Sequence, residues 1–472
     1  MPNTHSDLTG APRANWLQQA RSRLATLALG AAMMTLAPLA ASANCDLSEA
    51  NIEHGARGIP EGTVMAIDPG GVRQALRNHG VEVGGVYFGE AFYNWGGIQD
   101  GGQYDGVLQL YMNADMQMLG FWKGLCFHTD GYQIHGRSIT GVNTGGLMPV
   151  SNLEAAPATR LFELWFEQHM LNDAVLVRFG QLAADAEFFA ADGGAFFLNG
   201  TWGWAPIAAE NNPNGGPAYP LATLGVRVAV APTDSTSVLV GLYNGDPAPR
   251  CNKAGGDPQR CNDHGLDFEL DDDPLLMAEG AYGYNLAGGR LPGTIKVGGW
   301  NHFGDFEHQR VDVGGELIAI TGNGGKPLEH DWAIYGIIDQ LIWRAPSSEG
   351  AEEAQGVGFF ARIAGAPEDR NLIDIYFDLG LTFAGMIPGR PNDALAVGFA
   401  YTGISDEVSA FDVDSGEPVA RNYESLVEIA YTIDVAQGWI LQPDFQYMWN
   451  PGGRVASVGH STVIGARSTV SF

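Results

Sequence analysis

Positive charge is the first thing this chain is short of. Its 472 residues hold 25 Lys and Arg against 54 Asp and Glu. Nucleic acid is bound by neutralising phosphate, so this balance excludes it as a partner. Catalytic signatures are missing too: there is no G-x-S-x-G elbow, H-E-x-x-H pair or P-loop. His302, His308 and His330 are scattered without ligand spacing. Asp267, Glu269, Asp271, Asp272 and Asp273 lack the glycine turn and closing bidentate Glu of a calcium loop, and read as a solvated acidic run. No metal and no cofactor is expected. Long apolar runs are also absent: beyond the N-terminus, no stretch approaches the ~20 residues of a spanning helix.

What the chain has in quantity is glycine, 65 residues, with 25 prolines. That density fits many short strands and tight turns better than a helical protein. The N-terminus reads as an export signal. Arg13, Arg21 and Arg23 precede an apolar run from Leu24 to Ala37, and Ala41-Ser42-Ala43 offers a small-x-small cleavage site. Residues 1–43 are therefore expected to be removed. They hold three Arg and one Asp, so the remaining 22 basic and 53 acidic residues leave a net charge of −31. Such an excess suits an outer surface bridged by divalent cations, or a pore that does not favour anions.

Apolar and polar residues alternate with period 2 along nearly all of the mature chain. Leu161 to His169 places Phe162, Leu164 and Phe166 on one face, and Glu163, Trp165, Glu167 and His169 on the other. Val226, Val228 and Val230 alternate with Arg227 and Ala229; Val357, Phe359, Ala361 and Ile363 alternate with Gly358, Phe360 and Arg362. Roughly sixteen such segments run from about residue 82, near 82–95, 104–117, 123–134, 158–170, 174–182, 222–231, 236–244, 276–286, 293–303, 332–343, 356–364, 373–382, 393–402, 423–434, 438–448 and 460–472. Tight connections at Asn172-Asp173 and Pro232-Thr233-Asp234 contrast with long ones at 183–221, 245–275 and 303–331. The last segment ends in Phe472, with Ile464, Ala466, Ser468 and Val470 on its face.

An even count, short turns against long loops and a terminal aromatic predict an all-β fold. It is a transmembrane antiparallel β-barrel over 82–472 in a bacterial outer membrane, with Phe472 addressing the barrel-assembly machinery. Trp95, Trp165, Trp300, Trp343, Trp439 and Trp449 lie near segment ends, where girdle aromatics would meet lipid and lipopolysaccharide; ordinary core aromatics are the alternative. Residues 44–81 do not alternate. Asp68 to Gly80 reads as a short helix with acid and proline at its start and glycine after its end, placed at the periplasmic rim or in the lumen.

Export permits disulfides among Cys45, Cys126, Cys251 and Cys261. Cys251 and Cys261 enclose a polar stretch that cannot form a core, and a bridge there would staple a surface loop. Cys45 with Cys126 follows by elimination only.

Several phrases are similar to the carbohydrate-selective porin family of OprB type. They include Gly70-Gly71-Val72-Arg73, Gln133-Ile134-His135-Gly136-Arg137-Ser138, Thr159-Arg160-Leu161-Phe162-Glu163-Leu164-Trp165, Arg178-Phe179-Gly180-Gln181-Leu182, Asp273-Pro274-Leu275-Leu276 and Asn450-Pro451-Gly452-Gly453. The resemblance runs from about residue 68 to the end. It implies a sixteen-stranded barrel passing small neutral sugars, glucose-like monosaccharides especially, down their gradient.

A sugar carries hydroxyls on its edge and weakly apolar faces, so a selective pore needs fixed donors and acceptors beside an aromatic plate, without a deep pocket. The face opposite the apolar one offers Glu163, Glu167, Arg178, Arg227 and Arg362, with Trp165 as an aromatic surface. Arginine suits paired hydroxyl oxygens because its donors are held in one plane. The loop 183–221 is the expected narrowing element, with Trp202, Trp204, Glu210 and Asn211 as lining candidates; a cap on neighbouring outer loops is the alternative. The paired acids Glu163 and Glu167 share a strand face and do not by themselves indicate glycoside hydrolysis. No enzyme is expected. A general or cation-preferring porin, and a secreted β-sandwich carbohydrate-active enzyme or lectin, are the competing readings. The assembly is open between monomer and homotrimer.

Overall fold

A computed structural model of the protein describes Cys45 and residues 69–248, 256–345 and 355–472. The expected signal peptide, its cleavage site and Cys251 lie outside the described residues. Sixteen strands close one barrel, each pairing antiparallel with its sequence neighbours and the last with the first. They are β1 (Val81–Gly96), β2 (Gly101–Asp115), β3 (Leu125–Gly136), β4 (Ala158–Met170), β5 (Val175–Leu182), β6 (Thr223–Thr233), β7 (Thr236–Asn244) and β8 (Pro274–Leu286). The second half is β9 (Leu291–Asp312), β10 (Gly325–Arg344), β11 (Gly356–Gly365), β12 (Ile373–Ala384), β13 (Ala394–Ile404), β14 (Tyr423–Ala436), β15 (Trp439–Trp449) and β16 (Ser461–Ser471). At the seam, Val86 to Gly96 pair with Ser471 to Ser461. Gly85 and Phe472 exchange both backbone hydrogen bonds at 2.9 Å. A Cβ on Gly85 would stand 2.8 Å from the Phe472 ring, so glycine is what lets the terminal aromatic lie across the first strand.

Alternation explains the wall. Val226, Ile295, Val297, Ile334, Ile363, Ile375 and Ile464 are exposed on the outside, whereas Glu90, Asp130, Arg227, Arg362, Asp378, Glu428 and Gln446 are buried within. An apolar exterior around a polar interior is the arrangement a barrel needs in lipid. Among the described residues, no helix is long and apolar enough to cross a membrane.

Four local expectations need correction. Phe162 does not share the outer face of Leu164 and Phe166. The β3–β4 pairing slips between Thr129 and Gly131, so Arg160 and Phe162 face inward before the slip, as Glu163, Trp165 and Glu167 do after it. Phe162 packs with Tyr132 and Tyr219. The connection 303–331 is far shorter than expected, because β9 and β10 extend to Asp312 and back from Gly325. Register shifts around Pro327 and His330 break the alternation that would have revealed the extension. Trp165 and Trp300 are interior rather than girdle aromatics, while Trp95, Trp343 and Trp439 are exposed. The short helix α1 (Val72–Arg77) is present, but its N-cap is Gly71 in a left-handed conformation without a side-chain cap; Asp68 lies outside the described residues.

That helix is fastened at the barrel rim. Arg73 donates to the buried Glu82 of β1 at 2.7 and 2.9 Å, and Arg77 pairs with the same carboxylate. Cys45 is disulfide-bonded to Cys126, whose neighbours at alternate positions, His128 and Asp130, are interior.

Candidate constriction site

The connection between β5 and β6 is rich in aromatic and small residues that would be costly to expose, and it folds into the barrel. Phe188, Phe189, Phe197, Leu198, Trp202 and Ile207 are buried in one cluster with Trp300, Tyr335, Phe360 and Tyr376 of the wall. Turning a loop inward buries backbone groups, each of which needs a partner. The wall supplies them. Arg362 of β11 donates to the carbonyls of Phe189 and Thr201, both at 2.8 Å, and Gly203 at 3.2 Å. Lys296 of β9 donates to the Ala190 carbonyl at 2.7 Å. Carboxylates take the N–H groups: Glu279 accepts from Phe189 at 3.2 Å and Asp339 from Gly193 at 3.0 Å. The Asn211 side chain donates to the Ile373 carbonyl and accepts from its N–H, at 2.7 and 3.2 Å.

The entry leg of this loop meets a compact ionic group. Glu167 on β4 and Glu187 on the loop alternate with Arg178 on β5 and Arg227 on β6. Arg178 lies 3.1 Å from Glu167 and 3.2 Å from Glu187. Arg227 lies 2.9 Å from Glu167 and donates to Glu187 at 2.8 Å. Two guanidiniums and two carboxylates cancel in charge while fixing one another's rotamers. The Arg178 guanidinium also sits 3.8 Å above the Trp165 ring, a cation–π contact, and His128 stacks on Trp165 at 4.8 Å. Glu163 accepts from the Ala183 N–H at 2.8 Å and from Trp165 Nε1 at 3.3 Å.

A second loop, 137–157 between β3 and β4, also turns inward. Glu154 gathers donors from Thr140, Ser138 and Ser151. Burial pushes its carboxyl up while the Ser138 and Thr140 bonds pull it down, and burial wins. The two loops touch: Asn152 N donates to Leu198 O and Gly200 N to Pro149 O, both at 2.8 Å.

The structure brings Glu163, Trp165, Glu167, Arg178 and Arg227 together and places Arg362 apart, against Asp378. Trp202 is 2% exposed, stacked on Phe197 and donating from Nε1 to Glu428 at 2.6 Å, so its ring is not presented to the lumen. Asn211 and Arg362 are likewise occupied by backbone. Trp204 is half-buried and donates to Gly215 O at 2.9 Å. Glu210 reaches solvent, yet the surrounding protein thins its water and pushes its carboxyl up. Sequence reasoning missed Glu187, Glu279, Glu424, Glu428 and Gln446. Glu424 and Glu428 stand at the same parity on β14, a signal that was available; Glu187 sits in an irregular segment and gave none. Among the described residues, no three His, Cys, Asp or Glu converge as a metal site.

Comparison with known proteins fits this geometry. Residues 99–472 match the family described as carbohydrate-selective porin, OprB family. Porin B of Pseudomonas aeruginosa is 24% identical over 446 residues, spanning 88% of this chain and 92% of the relative. The high-pH structure of Pseudomonas putida OprB superposes with a TM-score of 0.76 at 21% identity, covering 87% of this chain and 98% of that one. Its low-pH structure gives 0.53 at 17% identity over the same shares. The chain belongs to the OprB family of carbohydrate-selective porins, outer-membrane channels built on this closed barrel.

Proposed function

We propose that the protein is a passive channel for small neutral sugars, glucose-like monosaccharides foremost, exported through cleavage after Ala43 and assembled through its C-terminal Phe472. The observation that carries this reading is the pair of inward loops, seated across a polar lumen by side chains from around the wall. Such a seat gives a narrow, rigid opening. The charge-cancelled Arg–Glu group leaves little net field to repel or trap a neutral solute. Trp204 and Glu210 are the accessible members of the expected lining and the ones offered to a passing sugar. Trp202, Arg227, Arg362 and Asn211 act behind them as supports.

The net charge of −31 favours a second reading, a general porin that prefers cations. Liposome swelling separates the two. Glucose should enter faster than a disaccharide by more than their size ratio demands. Rates ordered by size alone, together with a strong cation preference in a salt gradient, would move the protein to the second class.

A further inference from the structure

Strand β14 carries two inward glutamates four residues apart, and each holds the backbone of a different loop. Glu424 accepts from Leu147 N at 2.8 Å and Met148 N at 2.9 Å, both on the 137–157 loop, and from Gly452 N at 2.7 Å. Glu428 accepts from Leu198 N at 2.6 Å, Asn199 N at 3.2 Å and Trp202 Nε1 at 2.6 Å, all on the 183–222 loop. Both glutamates are fully buried. Directly opposite Glu428 in the β14–β15 register stands Gln446. Its amide donates to Val150 O of the first loop at 2.8 Å and accepts from Asn199 Nδ2 of the second at 2.9 Å. One side chain thus bridges both loops where they already touch. Four residues along a strand span about 13 Å, a distance the extended backbone holds stiffly.

We propose that Glu424, Glu428 and Gln446 are positioning residues that set the bore of the channel. They fix the seat of the two loops relative to one another and do not touch the permeant. Carboxyl groups suit the task because one group accepts several N–H donors at once, as Glu424 does from Leu147, Met148 and Gly452 and Glu428 from Leu198, Asn199 and Trp202. An amide in place of Glu428 has a single acceptor oxygen and turns an NH2 toward donors, so the loop must leave its seat. The inference rests on the reading that these loops form the constriction, and it makes a separable prediction.

The test is single-channel conductance in KCl together with swelling by glucose and a disaccharide, on full-length Glu428→Gln protein that still shows the heat-modifiable gel shift of a folded barrel. Conductance should rise several-fold with added open-channel noise, and the glucose preference should fall several-fold. Glu428→Asp should recover part of both. A lining role predicts the opposite sign, because removing an anion from the path lowers potassium conductance. Gln446→Ala should shift both readouts in the same direction and add little to Glu428→Gln. Should Glu428→Gln fail to assemble, Trp202→Phe removes the Nε1 donor to Glu428 and leaves a smaller aromatic ring against Phe197. It should widen the channel to a smaller degree, and no change in either variant that folds would overturn the proposal. The KCl arm contains no sugar, so it reads the seat even where the sugar reading fails.

Discussion

Arg227 is wholly buried, and its guanidinium lies between Glu167 and Glu187. Taken out, it leaves two interior carboxylates with Arg178 as their shared cation. Breaking a buried pair in this way costs about 3–5 kcal/mol. Arg227→Met should therefore lower the temperature at which the detergent-solubilised barrel loses its compact, heat-modifiable form; an unchanged transition would contradict the ionic group's structural role. Glu210 gives a residue-scale test of a different kind. The protein around it thins its water and raises its carboxyl, so on acidification it takes up its proton at a higher pH than a free carboxyl and, as a proposed lining residue, removes one negative charge from the lumen. Cation preference in a salt gradient should fall through that interval in the wild type, and Glu210→Gln should flatten this part of the profile. Identical profiles for the two would remove Glu210 from the lumen lining.

Elements were readable wherever alternation ran unbroken. The expected segment 158–170 coincides with β4, and 236–244 with β7. On β16 the expected face of Ile464 is outward, Ile464 itself being exposed, and the alternate residues Val463, Arg467, Thr469 and Ser471 are buried inside. Reading failed where a strand slips by a residue, since a bulge reverses every later side chain without changing composition. Such slips put Phe162 inside, against simple alternation, and hide the β9–β10 extension beyond residue 303. The seam is the element on which closure depends. Phe472→Ala keeps the two backbone bonds to Gly85 but removes the ring lying across it. Its expected outcome is a marked fall in folded protein recovered from the outer membrane, scored by the gel shift; wild-type levels would contradict the assembly role given to the terminal aromatic.

At the scale of the molecule, the barrel was legible because lipid imposes a repeating two-residue rule on the whole wall, and its family because phrases such as Gln133 to Ser138 and Asn450 to Gly453 resemble it. The aromatic content of the loop 183–221 pointed inward as one of two readings, and its Phe188, Phe189, Phe197 and Trp202 are buried against the wall. What stayed hidden was the division of labour inside, because the partner of a lumen side chain is set by which strands face one another across the barrel. Arg362 and Trp202 looked like lining by residue type, and they are instead bound to Thr201 O and Glu428. On the proposed reading the same placement connects stability to transport, because the groups that hold the loops inward are also the ones that would set the opening.

The measurement that bears most directly on this account is liposome swelling by the purified wild-type protein, comparing glucose with a zwitterionic amino acid of similar size. Both are neutral overall and near in bulk, so net charge and sieving act alike on them. Faster entry of glucose is the predicted result and fits fixed hydroxyl-matching groups at a seated constriction. Equal rates would contradict sugar selectivity and leave a general pore.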